Sequence, residues 1–384
     1  MRIGINALAA ENRSGTGRYT TELVKHLARL DRDNEYVILL HDDSPLRAPL
    51  KEFENVHLVK EPRRSRLGRI WWEQRHLPGL IAKKHLVVFH APAFVLPGRS
   101  SAATVATIHD LVFMRYPETF GYFRRNYLSW AIPRSVYRAT KVIADSEATR
   151  RDLRDLLGVK PERVAVIPLG IGEEFFNTAP FEAFAQAHSM LALPERYILT
   201  VGTIEPRKNL VRLIEAYAIV KERMKRRCPV LVLVGRKGWK YEDVFDRIAD
   251  RQLGGDVIWS DFLSDELVRA VYQHATLFVC LSLHEGFGLP LLEAMASGVA
   301  VLSSDRSSMP EVVGEAGVLV DPTNVEAVAD AMEALLKNDE RRQELAARAR
   351  ERARGFSWEL TARQTLAIYQ EIGSSRGAAR KSRV

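Results

Sequence analysis

Two glutamates, Glu285 and Glu293, flank a glycine-bearing turn in the stretch His284-Glu285-Gly286-Phe287-Gly288-Leu289-Pro290-Leu291-Leu292-Glu293-Ala294-Met295-Ala296-Ser297-Gly298. Leu281 to Leu283 close an apolar run that reads as a buried strand, and Pro290 stands where a first helical residue belongs. A helix N-terminus carries unpaired N–H groups and partial positive charge, and Gly286 and Gly288 leave the backbone bare for a phosphate. One carboxylate precedes that cradle and the other lies a turn inside the helix. The pair suits hydroxyls at either end of a phosphorylated sugar. Acidic residues also favour first turns for dipole reasons alone, so spacing by itself leaves both readings standing.

A basic counterpart lies in Gly202-Thr203-Ile204-Glu205-Pro206-Arg207-Lys208-Asn209-Leu210, between a strand and a helix. Arg207 and Lys208 are placed to neutralise a diphosphate; the plainer reading is a basic loop in which Asn209 caps the helix. Gly235-Arg236-Lys237-Gly238 adds positive charge at the next strand end and reads as a turn with solvated bases. Asp261-Phe262-Leu263, one strand further on, offers loop backbone that could grip a base. His109-Asp110 ends another strand, where an imidazole can touch a sugar hydroxyl or meet developing charge, although a lone histidine is more often structural. Ser14-Gly15-Thr16-Gly17-Arg18-Tyr19 leads into a helix, and Gly15 and Gly17 could bring backbone N–H groups to the diphosphate. With two close glycines and no spaced third, it is not a dinucleotide fingerprint.

Metal chemistry has little support. Asp31-Arg32-Asp33 has an Asp-x-Asp form, but it follows a helix and precedes Asn34, and so reads as a solvated helix end. No other carboxylate or histidine cluster has metal spacing, so neither a metal nor a cofactor is expected.

The elements that must position these residues are short apolar runs separated by helical stretches. In the first half the strands are Arg2–Asn6, 37–40, 87–90, 104–108, 142–144 and 164–167. In the second they are 197–201, 230–234, 257–259, 277–281, 299–303 and 317–320. Such alternation predicts α/β architecture with two Rossmann-like, doubly wound parallel sheets facing a ligand crevice at the strands' carboxyl ends. The expected boundaries are a first domain over 1–172, a connector over 173–194, a second domain over 195–354, a closing helix over 355–373 and a loose basic tail over 374–384.

The chain has 384 residues, 46% hydrophobic and 27% charged, with a net charge of +8. This is the composition of a globular enzyme with two cores rather than a disordered chain. No apolar run approaches a membrane span, and a strand from residue 2 leaves no room for a signal peptide. Cys228 and Cys280 read as core thiols in a reducing compartment, so the expected location is cytoplasmic, with attachment to the cytoplasmic membrane face open. The positive balance calls for an anionic partner. Part of it sits in Arg63, Arg64, Arg66 and Arg69, before Trp71 and Trp72, and in the tail residues Arg376, Arg380, Lys381 and Arg383.

Taken together these residues resemble the retaining GT-B glycosyltransferases of family four, in their bacterial mannosyltransferase-like branch. The resemblance runs from Gly15-Thr16-Gly17-Arg18-Tyr19 through Thr107-Ile108-His109-Asp110-Leu111 and Ala144-Asp145-Ser146 to Phe356-Ser357-Trp358-Glu359. Its most specific part is 285–322, with Ser307-Ser308-Met309-Pro310-Glu311-Val312-Val313-Gly314. It implies Glu293 at the donor ribose, Glu285 at the transferred hexose, and Gly286, Phe287, Gly288 and Leu289 presenting backbone to sugar and phosphate. Lys208 and Arg207 would stabilise the leaving diphosphate, and His109 would contact the sugar. Many relatives carry arginine directly after the glycine matched by Gly202; here it is Thr203, which leaves more of the phosphate charge to Arg207 and Lys208. A closing helix with Trp358 that crosses back onto the first domain is implied as well.

The reaction implied is metal-independent transfer of a hexose, best mannose from GDP-mannose, with retention at the anomeric carbon. The acceptor would be a glycan or lipid-linked glycan of cell-surface polysaccharide. A nucleotide-sugar epimerase on the same fold, converting donor without acceptor, is the second reading. A basic membrane- or nucleic-acid-binding protein is the third; no nucleic-acid motif supports the latter. Peripheral contact with an anionic membrane is compatible with transfer, with Arg63 to Trp72 the candidate surface. Oligomeric state is not legible.

Overall fold

The computed structural model describes residues 1–12 and 14–381. The chain forms two α/β units: Met1–Gly170 together with the chain from Ser357 onward, and Ile171–Phe356.

The first unit is built on seven parallel strands: β1 (Arg2–Asn6), β2 (Glu35–His41), β3 (Val56–Glu61), β4 (Val88–Ala91), β5 (Ala103–Ile108), β6 (Lys141–Ala144) and β7 (Val164–Val166), in the order β3-β2-β1-β4-β5-β6-β7. Central strands such as β5 are buried at every residue because helices cover both faces, and their few polar side chains, here Thr104 and Thr107, are hydrogen-bonded inside the protein. The sequence reading missed β3: it is an edge strand whose apolar residues are broken by His57, Lys60 and Glu61, so no continuous apolar run marks it.

The helix Gly15–Leu30 starts from Ser14, so Gly15 and Gly17 belong to its first turn and not to a loop ahead of it. A Cβ at Gly17 would lie 1.9 Å from the Asn12 carbonyl oxygen, which is what demands glycine there. The Asp31 end of that helix is not solvated as expected. Asp31 is buried, and its carboxylate accepts the backbone N–H groups of Asp33 and Asn34, the Asn34 amide at 2.7 Å and the Tyr36 hydroxyl at 2.5 Å. A carboxylate so fully occupied by a turn has no lone pairs left for a metal.

The closing helix, Trp358–Lys381, packs on the first unit: Thr361 donates to the Pro168 carbonyl at 2.8 Å, and Tyr369 meets His90 at 2.6 Å. It continues as helix through the expected tail to Lys381; Arg383 lies outside the described residues.

The second unit has six parallel strands: β8 (Tyr197–Val201), β9 (Val230–Val234), β10 (Val257–Ser260), β11 (Leu277–Cys280), β12 (Val301–Ser304) and β13 (Val318–Val320), ordered β10-β9-β8-β11-β12-β13. Residues 173–194, read as a connector, contain the helix Phe181–Leu191 and fold onto this unit. Phe184 stacks on His274 at 3.6 Å, and the Ala179 N–H donates to Gln273 at 2.8 Å. The helical run from Val325 breaks at Asn338, whose side chain caps the following helix through the Arg341 N–H. Strand order reverses between β8 and β11, so their carboxyl ends diverge and leave the crevice in which doubly wound sheets bind ligands.

Candidate functional site

Both chemical loops of the second unit leave the sheet at that reversal, one after β8 and one after β11. Gly202 has a φ of +148°, and a Cβ there would press to 3.0 Å on the Lys208 side chain, so glycine lets the chain turn under the lysine. The turn Pro206–Lys208 then projects Arg207 and Lys208, and the Leu283 N–H donates to the Arg207 carbonyl at 2.9 Å, tying the two loops together.

Glu285 is the centre of the cluster. Its carboxylate lies 2.5 Å from Lys208 Nζ on one oxygen and 2.5 Å from Arg207 on the other, and Ser282 donates to it at 2.8 Å. Arg207 is steadied in turn by Glu205 at 2.7 Å and by the His284 carbonyl at 2.9 Å. Burial alone would raise the Glu285 pKa; the two cations outweigh it and hold the carboxyl well below the ordinary carboxylate range. The site therefore sets two half-buried cations against two buried carboxylates, near charge balance. A diphosphate can take over the cations only by loosening Glu285 from them.

Gly288 precedes the helix Leu289–Ala296 with a φ of +106°, and a Cβ on it would come 2.9 Å from Met309 Cε. Below the turn, Ser308 donates to the carbonyls of Glu285 and Phe287, both at 2.9 Å, and Ser307 donates to that of Glu285 at 2.6 Å. Ser307 also accepts the Glu285 N–H at 3.3 Å, so it is the start of the helix Leu289–Ala296 that offers N–H groups to an anion. Phe287 and Leu289 are buried. Glu293 is buried one turn into the helix and accepts the Tyr272 hydroxyl at 3.0 Å, apart from the Arg207–Lys208 cluster. Asn209 does not cap with its side chain: with φ at +58°, its amide donates to the Pro322 carbonyl at 2.7 Å.

The first unit presents a second cluster. Neighbouring strands β5 and β6 pair Ile108 with Ala144, so the next residues, His109 and Asp145, emerge side by side. His109 Nδ1 lies 2.6 Å from the Asp145 carboxylate, and the ring stands edge-on to Tyr19 at 5.0 Å and to Phe94 at 5.3 Å. Its Nε2 is buried with no hydrogen-bond partner. Burial disfavours charge on the ring, but Asp145 reverses this and the pKa is raised. With Nδ1 committed to the carboxylate, Nε2 is the atom free to donate to a ligand oxygen.

Behind His109 runs a buried polar chain. Tyr369 contacts His90 Nδ1 at 2.6 Å, His90 Nε2 contacts Thr107 at 2.8 Å, and Thr107 contacts the Tyr19 hydroxyl at 2.9 Å. The closing helix thus reaches the ring that flanks His109. Full burial holds the His90 pKa down to about 3, so it is a neutral link.

The sequence reading missed Asp145, Glu205, Ser282 and Tyr272 as site residues. Asp145 had a legible signal, an acid directly after a buried strand adjacent to the one that ends at His109. The others are single polar residues whose roles depend on which strands become neighbours. The Gly235–Gly238 loop does not present solvated bases throughout: Lys237 Nζ sits over Tyr241, Phe245 and Trp259 at 4.9, 4.5 and 4.6 Å. Phe262 of the candidate base loop is 47% exposed. Both cysteines are free and buried, and burial pushes the Cys228 thiol up to about 11. Among the described residues no group of three or more histidine, cysteine or acidic side chains could hold a metal.

Residues 184–352 match the family model described as glycosyl transferases group 1, and residues 13–175 that of glycosyltransferase family 4. The O-antigen chain mannosyltransferase B of Escherichia coli is 31% identical over 373 residues, covering 93% of this chain and 96% of that protein. Among solved structures, the sucrose-phosphate synthase of Thermosynechococcus elongatus superposes with a TM-score of 0.77 at 20% identity, over 98% of this chain and 100% of that one. The Anabaena protein HepE, in complex with UDP and glucose, gives 0.74 at 17% identity over 97% of this chain and 100% of that one. These structures share the two-sheet GT-B fold, and the long match to the mannosyltransferase places the chain in glycosyltransferase family 4.

Proposed function

We propose that this glycosyltransferase moves a hexose from a nucleotide-diphosphate sugar, GDP-mannose being the best single candidate, to a glycan or lipid-linked glycan in cell-surface polysaccharide synthesis. The observation that carries the reading is the Arg207–Lys208–Glu285 cluster beside the Gly286–Leu289 turn, at the point where the second sheet reverses its strand order. The mannosyltransferase relative supports mannose as the sugar.

In the proposed reaction Glu293 holds the ribose hydroxyls, and the turn and helix start hold the diphosphate. Arg207 and Lys208 take the charge that grows on the leaving phosphate, as cations held in place by Glu205 and Glu285 before the donor binds. Glu285, displaced from them by phosphate, is then free to accept a hexose hydroxyl. His109 Nε2, oriented by Asp145, donates to the sugar. The anomeric carbon–phosphate oxygen bond breaks, and the acceptor oxygen bonds to the same face of the carbon. The acceptor proton passes to the departing phosphate oxygen, so configuration is retained without a protein nucleophile. Paired cations do here what a divalent ion does in other transferases, so activity in EDTA should equal activity in added Mg²⁺. The enzyme is proposed to work at an anionic membrane surface.

The test is turnover of labelled GDP-, UDP- and ADP-sugars with a membrane lipid extract as acceptor. Transfer from GDP-mannose that falls about 100-fold or more in Lys208→Ala is the expected outcome. Isomerisation of a donor without acceptor, or no turnover of any donor, would overturn the reading.

A further inference from the structure

The helix Tyr122–Arg138 of the first unit departs from ordinary amphipathic patterning. One face carries Ala131, Ile132, Ser135 and Val136 into the core. The opposite face, which should be polar, is aromatic. Phe123, Trp130 and Tyr137 recur at heptad spacing, which keeps side chains nearly in line along a helix, and are 82%, 42% and 58% exposed, with Tyr122 at 72%. Single exposed aromatics need no explanation, but an aligned stripe of them marks an interaction surface.

The charge on this helix has one sign. Its sequence holds Arg124, Arg125, Arg134 and Arg138 and no acidic residue. Arg125, Arg134 and Arg138 are exposed, and the Arg134 guanidinium lies 4.6 Å from the centre of the Trp130 ring. The adjoining helix Arg66–Arg75 adds exposed Leu67 at 78% and Trp71 at 59%, and its Arg69 and Glu73 lie within electrostatic reach of Tyr127.

The arginine run before Trp71 and Trp72 is a poorer surface than its sequence suggested. Arg63 is paired with Glu11 and Asp43, Arg64 with Glu61 at 2.9 Å and Arg69 with Glu73 at 3.6 Å, while Trp72 is buried. The charges of Arg63, Arg64 and Arg69 are already answered within the protein, and the Arg66 side chain lies outside the described residues. The arginines of the Tyr122–Arg138 helix stand beside no acid of their own element.

We infer that the exposed face of this helix docks on a bilayer rich in anionic phospholipid. Phe123, Trp130 and Tyr137 enter the headgroup region, and Arg125 and Arg134 meet lipid phosphates. The Trp130 ring, apolar in body and polar at the tip, settles at that depth; Phe123 and Tyr137, whose hydroxyl donates to the Leu157 carbonyl, add apolar ring surface, and arginine binds phosphate through its planar fork. The inference names the surface for the membrane attachment proposed above and does not depend on the chemistry of transfer.

The experiment is co-sedimentation of the full chain with vesicles of phosphatidylcholine and phosphatidylglycerol at 3:1, and with phosphatidylcholine alone. Wild type binds the anionic vesicles, and binding falls about ten-fold in Phe123→Ser/Trp130→Ser and in Arg125→Glu/Arg134→Glu. Arg63→Glu/Arg64→Glu stays within about two-fold of wild type. Thermal unfolding confirms that each variant keeps its fold, as exposed positions allow. Equal binding by all variants, or wild type that binds neither vesicle, overturns the inference. So does a dimer in sedimentation velocity that Phe123→Ser/Trp130→Ser abolishes while vesicle binding persists, because the stripe is then a surface between copies of the chain.

Discussion

At the scale of single residues, the site rests on buried charges that hold one another in defined states. Glu285 is ionised because two cations face it. A carboxyl whose folded pKa lies below its free value of 4.5 contributes stability above that value and loses it as pH falls through the folded pKa. Glu285→Gln should therefore be less stable than wild type at neutral pH and show a flatter loss in acid; urea unfolding from pH 7 to 3 measures both. His90 behaves oppositely as a chemical type but with the same sign. Its folded pKa, near 3, lies below the free value of 6.5, so the unfolded chain binds the extra proton between these values. Stability is complete above pH 6.5 and falls toward pH 3, by up to about 1.4 kcal/mol per pH unit. His90→Gln should flatten that slope in the same titration, and a slope unchanged from wild type would mean that burial does not lower the His90 pKa.

Asp145 provides a kinetic counterpart. It raises the His109 pKa through a hydrogen bond of 2.6 Å. Asp145→Asn should lower kcat by about 10²-fold or more and move the His109 limb of the pH–rate profile to lower pH. A profile reduced in height but unmoved in pH would detach Asp145 from His109 protonation.

At the scale of elements, backbone contacts that admit no Cβ fix the joints. Gly170 lies against the start of the closing helix, and a Cβ on it would come 2.1 Å from the Trp358 nitrogen. Gly170→Ala must push backbone against backbone, and should cost about 1–3 kcal/mol of stability in the first unit. Thermal unfolding checks this, and loss of less than about 0.5 kcal/mol would show that the helix start can give way. Element identity was largely legible in the chain: twelve of the strands were marked by short apolar runs, because parallel strands covered on both faces leave few polar positions. β3 was not, since an edge strand needs only one apolar side. Residues 173–194 looked like a linker because the Phe181–Leu191 helix buries only a narrow stripe, formed by Ala183 and Ala187.

At the scale of the whole molecule, the chain's last helix serves its first residues. Truncation after Phe356 removes Thr361 and Tyr369 from Pro168 and His90. Hydrogen exchange of the truncated chain should show lost protection through Met1–Gly170, with protection in Ile171–Phe356 retained. The net charge of +8 is likewise resolved by structure, since Arg63, Arg64 and Arg69 are paired internally while Arg125, Arg134 and Arg138 are exposed.

The sequence by itself determined the chemistry on offer and its class. Gly286 and Gly288 before a helix, Arg207-Lys208 after a strand and His109 at a strand end each declare themselves through local backbone and charge requirements, and together they carry the family resemblance. Only the tertiary structure decided who faces whom. Glu285 joined Arg207 and Lys208, and not Glu293, because β8 and β11 are neighbours across a crossover. Asp145 became the partner of His109 because β5 and β6 run in register. Pairing of that kind depends on strand order, which residues distant in the chain settle by burying their apolar faces together, and no local pattern records it.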